Sequence, residues 1–383
     1  MGNHSGLPFF WLYTKQSPSF PSPQMYDKNH KPGANKKSIR VHKKKLAEVE
    51  RIKKILQKIP SPGGLNIQPE LHLQNKSDAN PIGNNQIVWA DLPIICDPIR
   101  SKMYRSANES RNTRRGIKKR YQIESYASLL RYFVKTIRKT SAQKIHIVDF
   151  GCGSGSLTLA LAYLFREDCL FTAVDMKAHA LEILRKKSDV LGLTNLKCQQ
   201  TMIEHFTTDT PVDLILSLHG CGNATDYSIL QAIHYRAAYL VCPCCIGKLK
   251  FSIQGGSSFS KTHKKYWNHT QHSRAVHLPQ NLCHPRSEWM RKFIDTNTFL
   301  ALAKAGDISH GEQQTNVKQR QKHWYEGIAR VCKLNIEFDR NKHAEEQNYR
   351  SKIYHLSHAK HLAKSHLLIG IPNDQPLWTD IHI

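Results

Sequence analysis

Four short stretches bring together residue types able to do chemistry. The first is Asp149-Phe-Gly151-Cys-Gly153-Ser-Gly155, set between an apolar run and an amphipathic one. Its glycines permit a tight turn and let a ligand approach the backbone. The helix after it offers unpaired N–H groups. A dinucleotide fingerprint has two residues before its third glycine; here there is one, and the leading acid suits a cationic amino-acid ligand better than a pyrophosphate. The second is Asp175, at the end of the apolar run Phe171-Thr-Ala-Val and 26 residues after Asp149. A carboxylate there can accept both hydroxyls of a ribose, or cap the next helix. The third is His219-Gly-Cys221-Gly-Asn-Ala-Thr-Asp226. A neutral His219 can take or orient a proton, with Asp226 as the second candidate. The plainer alternatives are a structural histidine and an aspartate that holds its own turn. The fourth is the thiol group Cys242, Cys244 and Cys245, with Cys221 and Cys283-His284. Its spacing is not C-x-x-C and no paired knuckle follows, so no metal is expected; thiols lining the acceptor side are.

The elements that must hold these residues alternate regularly. The spacing predicts helix over Lys118–Ile137 and strand over Ile145–Phe150. Helix Ser156–Phe165 precedes strand Leu170–Asp175, and helix Lys177–Leu191 precedes strand Leu196–Gln199. Strand Val212–Leu218, helix Ala224–Ile233 and strand Ala237–Cys242 complete the series. Alternating helices and nearly all-apolar strands mean a parallel sheet covered on both faces. The ligand edge of such a sheet is the carboxyl end of its strands, where all four stretches fall.

The first stretch resembles the opening motif of class I S-adenosylmethionine-dependent methyltransferases. His219-x-Cys-Gly-x-Ala-Thr-Asp226, followed by Pro243-Cys-Cys-x-Gly247, resembles the methyltransferase-like domain of the glutathione S-transferase C-terminal domain-containing protein family. Its first half also resembles a group of tRNA ribose 2′-O-methyltransferases. His284-Pro-Arg-Ser287, Asp339-Arg340 and the closing strand Ser365–Pro372 fit the first family, over roughly residues 90–375. The resemblance implies a class I, Rossmann-like α/β fold: a seven-stranded, mostly parallel sheet with helices on both faces. It implies S-adenosyl-L-methionine as cofactor, held by Asp149, Gly151, Gly153, Gly155 and Asp175. Met202 and Ile203, after the third strand, are candidates to bracket the adenine, although an ordinary core methionine fits as well.

The 383 residues carry 56 Lys plus Arg against 30 Asp plus Glu, a net charge of +26. Residues 1–60 hold thirteen cations and three acids and are expected to be a largely disordered basic tail with a short helix over Lys43–Lys58. Residues 61–110 read as an extended lead-in, with a short extended piece at Gln86–Trp89. Residues 111–375 read as the methyltransferase-like domain, with a basic insertion over 248–286, and 376–383 as a tail. The stretches 100–120 and 248–286 are basic, and the second is also aromatic. They suggest a polyanionic partner, RNA and tRNA first. A protein or small-molecule acceptor, or a non-catalytic binding module, remains open at this level. No apolar run approaches the roughly 18 residues that span a bilayer, and no secretory leader is evident. Ten cysteines, several adjacent, suit the cytosol or nucleus.

Overall fold

Ile145–Phe150 (β1) is buried at all six positions, as a strand covered on both faces must be. Its one imidazole is satisfied inside the protein. His146 Nδ1 donates to the Pro211 carbonyl at 2.9 Å, and its Nε2 accepts from the Thr172 hydroxyl at 2.9 Å. The computed structural model describes residues 36–67, 87–103, 109–137, 143–249, 278–279, 282–307, 318–356 and 365–375. Most of the basic insertion, residues 1–35 and the tail 376–383 lie outside these.

Around β1 the sheet contains β2 (Cys169–Asp175), β3 (Leu196–Gln200), β4 (Leu214–Leu218), β5 (Ala238–Cys242), β6 (Tyr349–His355) and β7 (His366–Pro372). Their order is β3-β2-β1-β4-β5-β7-β6. The first five are parallel; β7 runs antiparallel to both β5 and β6. This is the seven-stranded, mostly parallel α/β sheet the sequence implied.

Alternation along each strand divides the core. Ile147, Phe171, Leu216 and Leu240 face the helix Glu109–Ile137, through its Tyr126, Leu129, Leu130 and Phe133. Val148, Val174, Ile215 and Val241 face the other way, toward Phe206, Tyr227 and Tyr349. Helix Glu109–Ile137 starts nine residues earlier than the periodicity predicts. Gly116 lies within it, and a Cβ there would stand 2.6 Å from Ile99 Cγ1. This glycine is the point where the lead-in crosses the helix.

That lead-in is packed rather than extended. Ile87, Trp89, Leu92 and Cys96 join the core around Tyr126, and Trp89 Nε1 donates to Glu124 at 2.6 Å. Ile87–Trp89 is not a strand.

The helix assigned to the tail spans Lys36–Leu56 and belongs to the folded body. Val49, Ile52, Leu56 and Ile59 pack with Phe299 and Leu302 of helix Thr296–Gly306 and Ile336 of helix Lys318–Glu345. Beyond it, Gly64 N–H donates to Asn335 Oδ1 at 2.6 Å, and Asn335 Nδ2 returns a bond to the Gly64 carbonyl at 2.8 Å. Among the described residues no helix is long and apolar enough to cross a membrane.

Leu56 is fully buried, so Leu56→Ala should lower unfolding stability by about 2–5 kcal/mol. Denaturant unfolding measures this directly; an unchanged midpoint would mean that the helix is not docked in solution.

Candidate active site

The glycine loop turns at the end of β1 with Gly151 at φ 70° and Gly153 at φ 56°. Both are left-handed, where a side chain is strained. No atom lies within 4 Å of where either Cβ would stand, so both face open space. Three bonds pin the loop to the tip of β2. Gly151 N–H and Cys152 N–H donate to the Val174 carbonyl at 2.8 and 3.2 Å, and Gly153 N–H donates to Asp175 Oδ2 at 2.9 Å. Asp175 Oδ1 accepts from Lys177 N–H at 2.9 Å. Asp175 thus holds the loop and the turn that leads into the next helix, and each of its oxygens keeps a further acceptor position.

Asp149 is buried, and its Oδ2 accepts from the Thr158 hydroxyl. Its Oδ1 has no partner. Burial pushes its carboxyl up to about 7, against the Thr158 bond and with help from the Asp175 charge. A buried carboxylate oxygen with nothing to bind is a site for a cation.

Asp149 lines a cleft with Gly151, Cys152, Gly153, Ser156, Leu218 and His219. Lys119 lines it too and donates to Ser156 Oγ at 3.0 Å. The sequence hides Lys119 inside a run of nine cations; its place on a helix facing the glycine loop distinguishes it. The cleft therefore pairs a carboxylate for an ammonium with an ammonium for a carboxylate, the complement of a zwitterionic amino acid.

Gly155 is a different kind of glycine. Its φ is 78°, and a Cβ there would stand 2.2 Å from Leu184 Cδ1. It lets the helix Ala178–Val190 pack closely and does not line the cleft, so its expected ligand role becomes a packing one. Met202 and Ile203 are both buried, Ile203 in the core beside Phe150 and Phe206, and neither lines the part of the cleft around Asp149. Gln231 Nε2 draws their turn inward, donating to the carbonyls of Ile203 and Phe206 at 2.6 and 3.2 Å.

His219 stands at the tip of β4, exposed and on the cleft. It is a non-glycine residue at φ 70°, a strained conformation that its surroundings must impose. They do so from two sides. His219 N–H donates to the Cys242 carbonyl at 3.0 Å, and the Thr225 hydroxyl donates to the Gly220 carbonyl at 2.8 Å.

Asp226 is not on the cleft. It is buried on the helix Asn223–Tyr235 and forms a two-pronged ion pair with Arg340 at 3.1 and 2.8 Å. Burial would raise its carboxyl, but the Arg340 guanidinium holds it below the usual range. A carboxylate so engaged has no access to an acceptor; its role is to anchor the turn, since Arg340 Nη2 also donates to the Gly222 carbonyl at 2.9 Å. His284 is likewise structural. Its Nε2 meets Asn223 Oδ1 at 3.1 Å, its ring stacks on Phe299, and burial pushes it down to about 4, leaving it neutral. Of the five cysteines considered, the fold gathers Cys221, Cys244 and Cys245, while Cys242 packs in the core.

Residues 118–251 match the family model described as a methyltransferase domain. The chain carries a methyltransferase domain on the mostly parallel sheet described above. It is 28% identical over 301 residues to a glutathione S-transferase C-terminal domain-containing protein homolog of Drosophila melanogaster, covering 78% of this chain and 43% of that one. It is 27% identical over 287 residues to the human glutathione S-transferase C-terminal domain-containing protein, covering 74% and 36%. The chain thus spans about two fifths of the length of these curated relatives. A solved S-adenosylmethionine-dependent methyltransferase of Aquifex aeolicus aligns over 62% of this chain and 86% of its own, at 10% identity and a TM-score of 0.29.

A methyltransferase domain needs a methyl donor, and the cleft fits the amino-acid end of S-adenosylmethionine, the donor the sequence motif implied. Asp149 Oδ1 would meet the ammonium, Lys119 the carboxylate, and the bare Cα positions of Gly151 and Gly153 leave it room. Asp175, at the tip of β2, is where ribose hydroxyls would be received.

Only ionised Asp149 offers the ammonium a full charge. Its folded value near 7 lies above the ordinary one, so below pH 7 it is largely protonated. Affinity for S-adenosylhomocysteine, which shares that ammonium, should fall roughly tenfold per pH unit below 7 and level off above it. Calorimetry across this range should show the slope in wild type and its loss in Asp149→Asn; a flat wild-type profile would contradict the assignment.

Proposed function

We propose that this chain transfers a methyl group from S-adenosylmethionine to RNA, with tRNA favoured, in the cytosol or nucleus. The observation that carries this reading is His219, an exposed imidazole held on the same cleft as Asp149 and the glycine loop. Methyl transfer from a sulfonium is an in-line displacement, and the protein's main work is positioning. The acceptor oxygen or nitrogen gains the methyl and loses a proton. A neutral imidazole beside it takes or orients that proton.

Charge supports a polyanionic acceptor. The net charge is +26, and Arg114, Arg115 and Lys118 are exposed within five residues of Lys119 on the same helix. Not all of the 100–120 stretch is available to a partner. Arg100 and Arg120 both bind the buried Asp97 carboxylate. Arg120 also lies over the Trp89 ring, 5.1 Å from its centre. These two cations hold the lead-in to the domain. Exposed cations on the helix that carries Lys119 support a reading in which phosphates are held while a base or ribose enters. Segment 248–286 would add to them; most of it lies outside the described residues.

Purified protein should methylate a tRNA pool, and mass analysis of the nucleosides identifies the acceptor atom. His219→Ala should lower turnover by roughly 10²–10⁴ and leave S-adenosylhomocysteine affinity nearly intact. Replacing Arg114, Arg115 and Lys118 with Gln should weaken RNA binding and flatten its salt dependence by about one logarithmic unit per lost phosphate contact. Transfer to protein or to small molecules with none to RNA would overturn the substrate. No transfer by a protein that binds the cofactor would leave a binding module.

A further inference from the structure

Three thiols far apart in sequence meet at the carboxyl edge of the sheet. Cys221 sits in the turn after β4, and Cys244 and Cys245 sit in the turn after β5. The two turns are tied together: His219 N–H donates to the Cys242 carbonyl and Gly222 N–H to the Cys245 carbonyl, both at 3.0 Å. All three sulfurs lie within 4.8 Å of one another. Cys221 Sγ is 2.8 Å from Cys244 Sγ, and Cys244 Sγ is 3.7 Å from Cys245 Sγ.

These distances are informative. Two thiolates on one tetrahedral zinc ion, each bonded at about 2.3 Å, stand about 3.8 Å apart. Cys244 and Cys245 already have that separation. The 2.8 Å pair is longer than a disulfide bond of about 2.05 Å and shorter than the zinc spacing, so these sulfurs crowd one another without being joined and would move apart by about 1 Å to share an ion. Three crowded thiols gain little from one another, because S–H is a weak donor and S a weak acceptor.

We propose that Cys221, Cys244 and Cys245 form a thiolate site for a zinc-type ion at the tips of β4 and β5, next to His219. An all-sulfur set selects a borderline-soft metal over calcium or magnesium. Among the described residues no fourth histidine, cysteine or carboxylate joins the three. Three protein ligands are the number found where zinc keeps a position for water or substrate. The ion would also bind the two turns to each other and so fix the backbone that carries His219. The site stands on its own geometry and does not depend on RNA being the acceptor. Local spacing missed it because Cys242-x-Cys244-Cys245 has the wrong interval and Cys221 comes from another strand.

The test is cobalt titration of the full chain, purified under reducing conditions and stripped with a chelator. One cobalt per chain should bind with thiolate-to-cobalt charge-transfer absorption and visible bands of four-coordinate intensity, and zinc should displace it. Cys244→Ser and Cys245→Ser should lose most of the charge-transfer absorption. Cys283→Ser, an exposed cysteine outside the trio, should retain it. If the serine variants fail to fold, the wild-type spectrum decides alone, because the bands themselves report sulfur ligation. Reduced, folded wild type without a thiolate–cobalt band would overturn the proposal. So would metal-free protein carrying a Cys221–Cys244 disulfide, which would make the pair a redox couple.

Discussion

β1 has β2 on one side and β4 on the other, and the rest of the molecule depends on that arrangement. The chain builds outward from β1 in one direction through β2 and β3, then returns to build in the other. The loops leaving β1 and β4 therefore part at the carboxyl edge and leave a crevice between them, as open α/β sheets do at such a reversal. Asp149 and the glycine loop form one wall and His219 the other. Neither wall is made by its own loop alone. The glycine loop needs the Val174 carbonyl and Asp175 of β2, and the His219 turn needs the Cys242 carbonyl of β5.

Behind the second wall lies a buried polar lattice. Arg340 joins Asp226 and the Gly222 carbonyl. One residue before it, Asp339 accepts from the backbone of Arg286 and Ser287 and from the Ser287 hydroxyl. Three residues before it, Glu337 meets Lys333 and His366, which ties the same helix to β7. A buried ion pair is weak evidence for net stability, but removing one partner is costly because the other charge is then stranded. The helix Lys318–Glu345 thus fixes a turn more than a hundred residues away, and it also carries the groove that receives Lys36–Leu56.

Much of the sheet was legible because β1, β4 and β5 are buried on both faces and their apolar runs are bounded by turn residues. The expected bounds differ from the observed ones by one or two residues, with physical reasons. β4 begins at Leu214 rather than Val212 because Asp213 bonds the end of β1, its Oδ2 accepting from His146 N–H at 2.8 Å. Residues that act through distant partners were not legible. Asp226 looked catalytic because its local context is a site motif; only Arg340 reveals it as an anchor. Gly155 looked like its neighbours in the motif, and only Leu184 separates it from them. Lys119 was hidden in a charge run, and the thiol trio was hidden by the separation of β4 from β5. The docked N-terminal helix was misread for a similar reason, since its buried face has no partner nearby in sequence.

The central claim is that the crevice between the β1 and β4 loops receives S-adenosylmethionine against Asp149 and Lys119. Hydrogen–deuterium exchange of the full chain with and without S-adenosylhomocysteine tests it most directly. Slower exchange should be concentrated in residues 149–157 and 174–177, with a smaller effect at 217–222 and none at the docked helix Lys36–Leu56. An unchanged glycine loop under saturating ligand, or protection confined elsewhere, would contradict it.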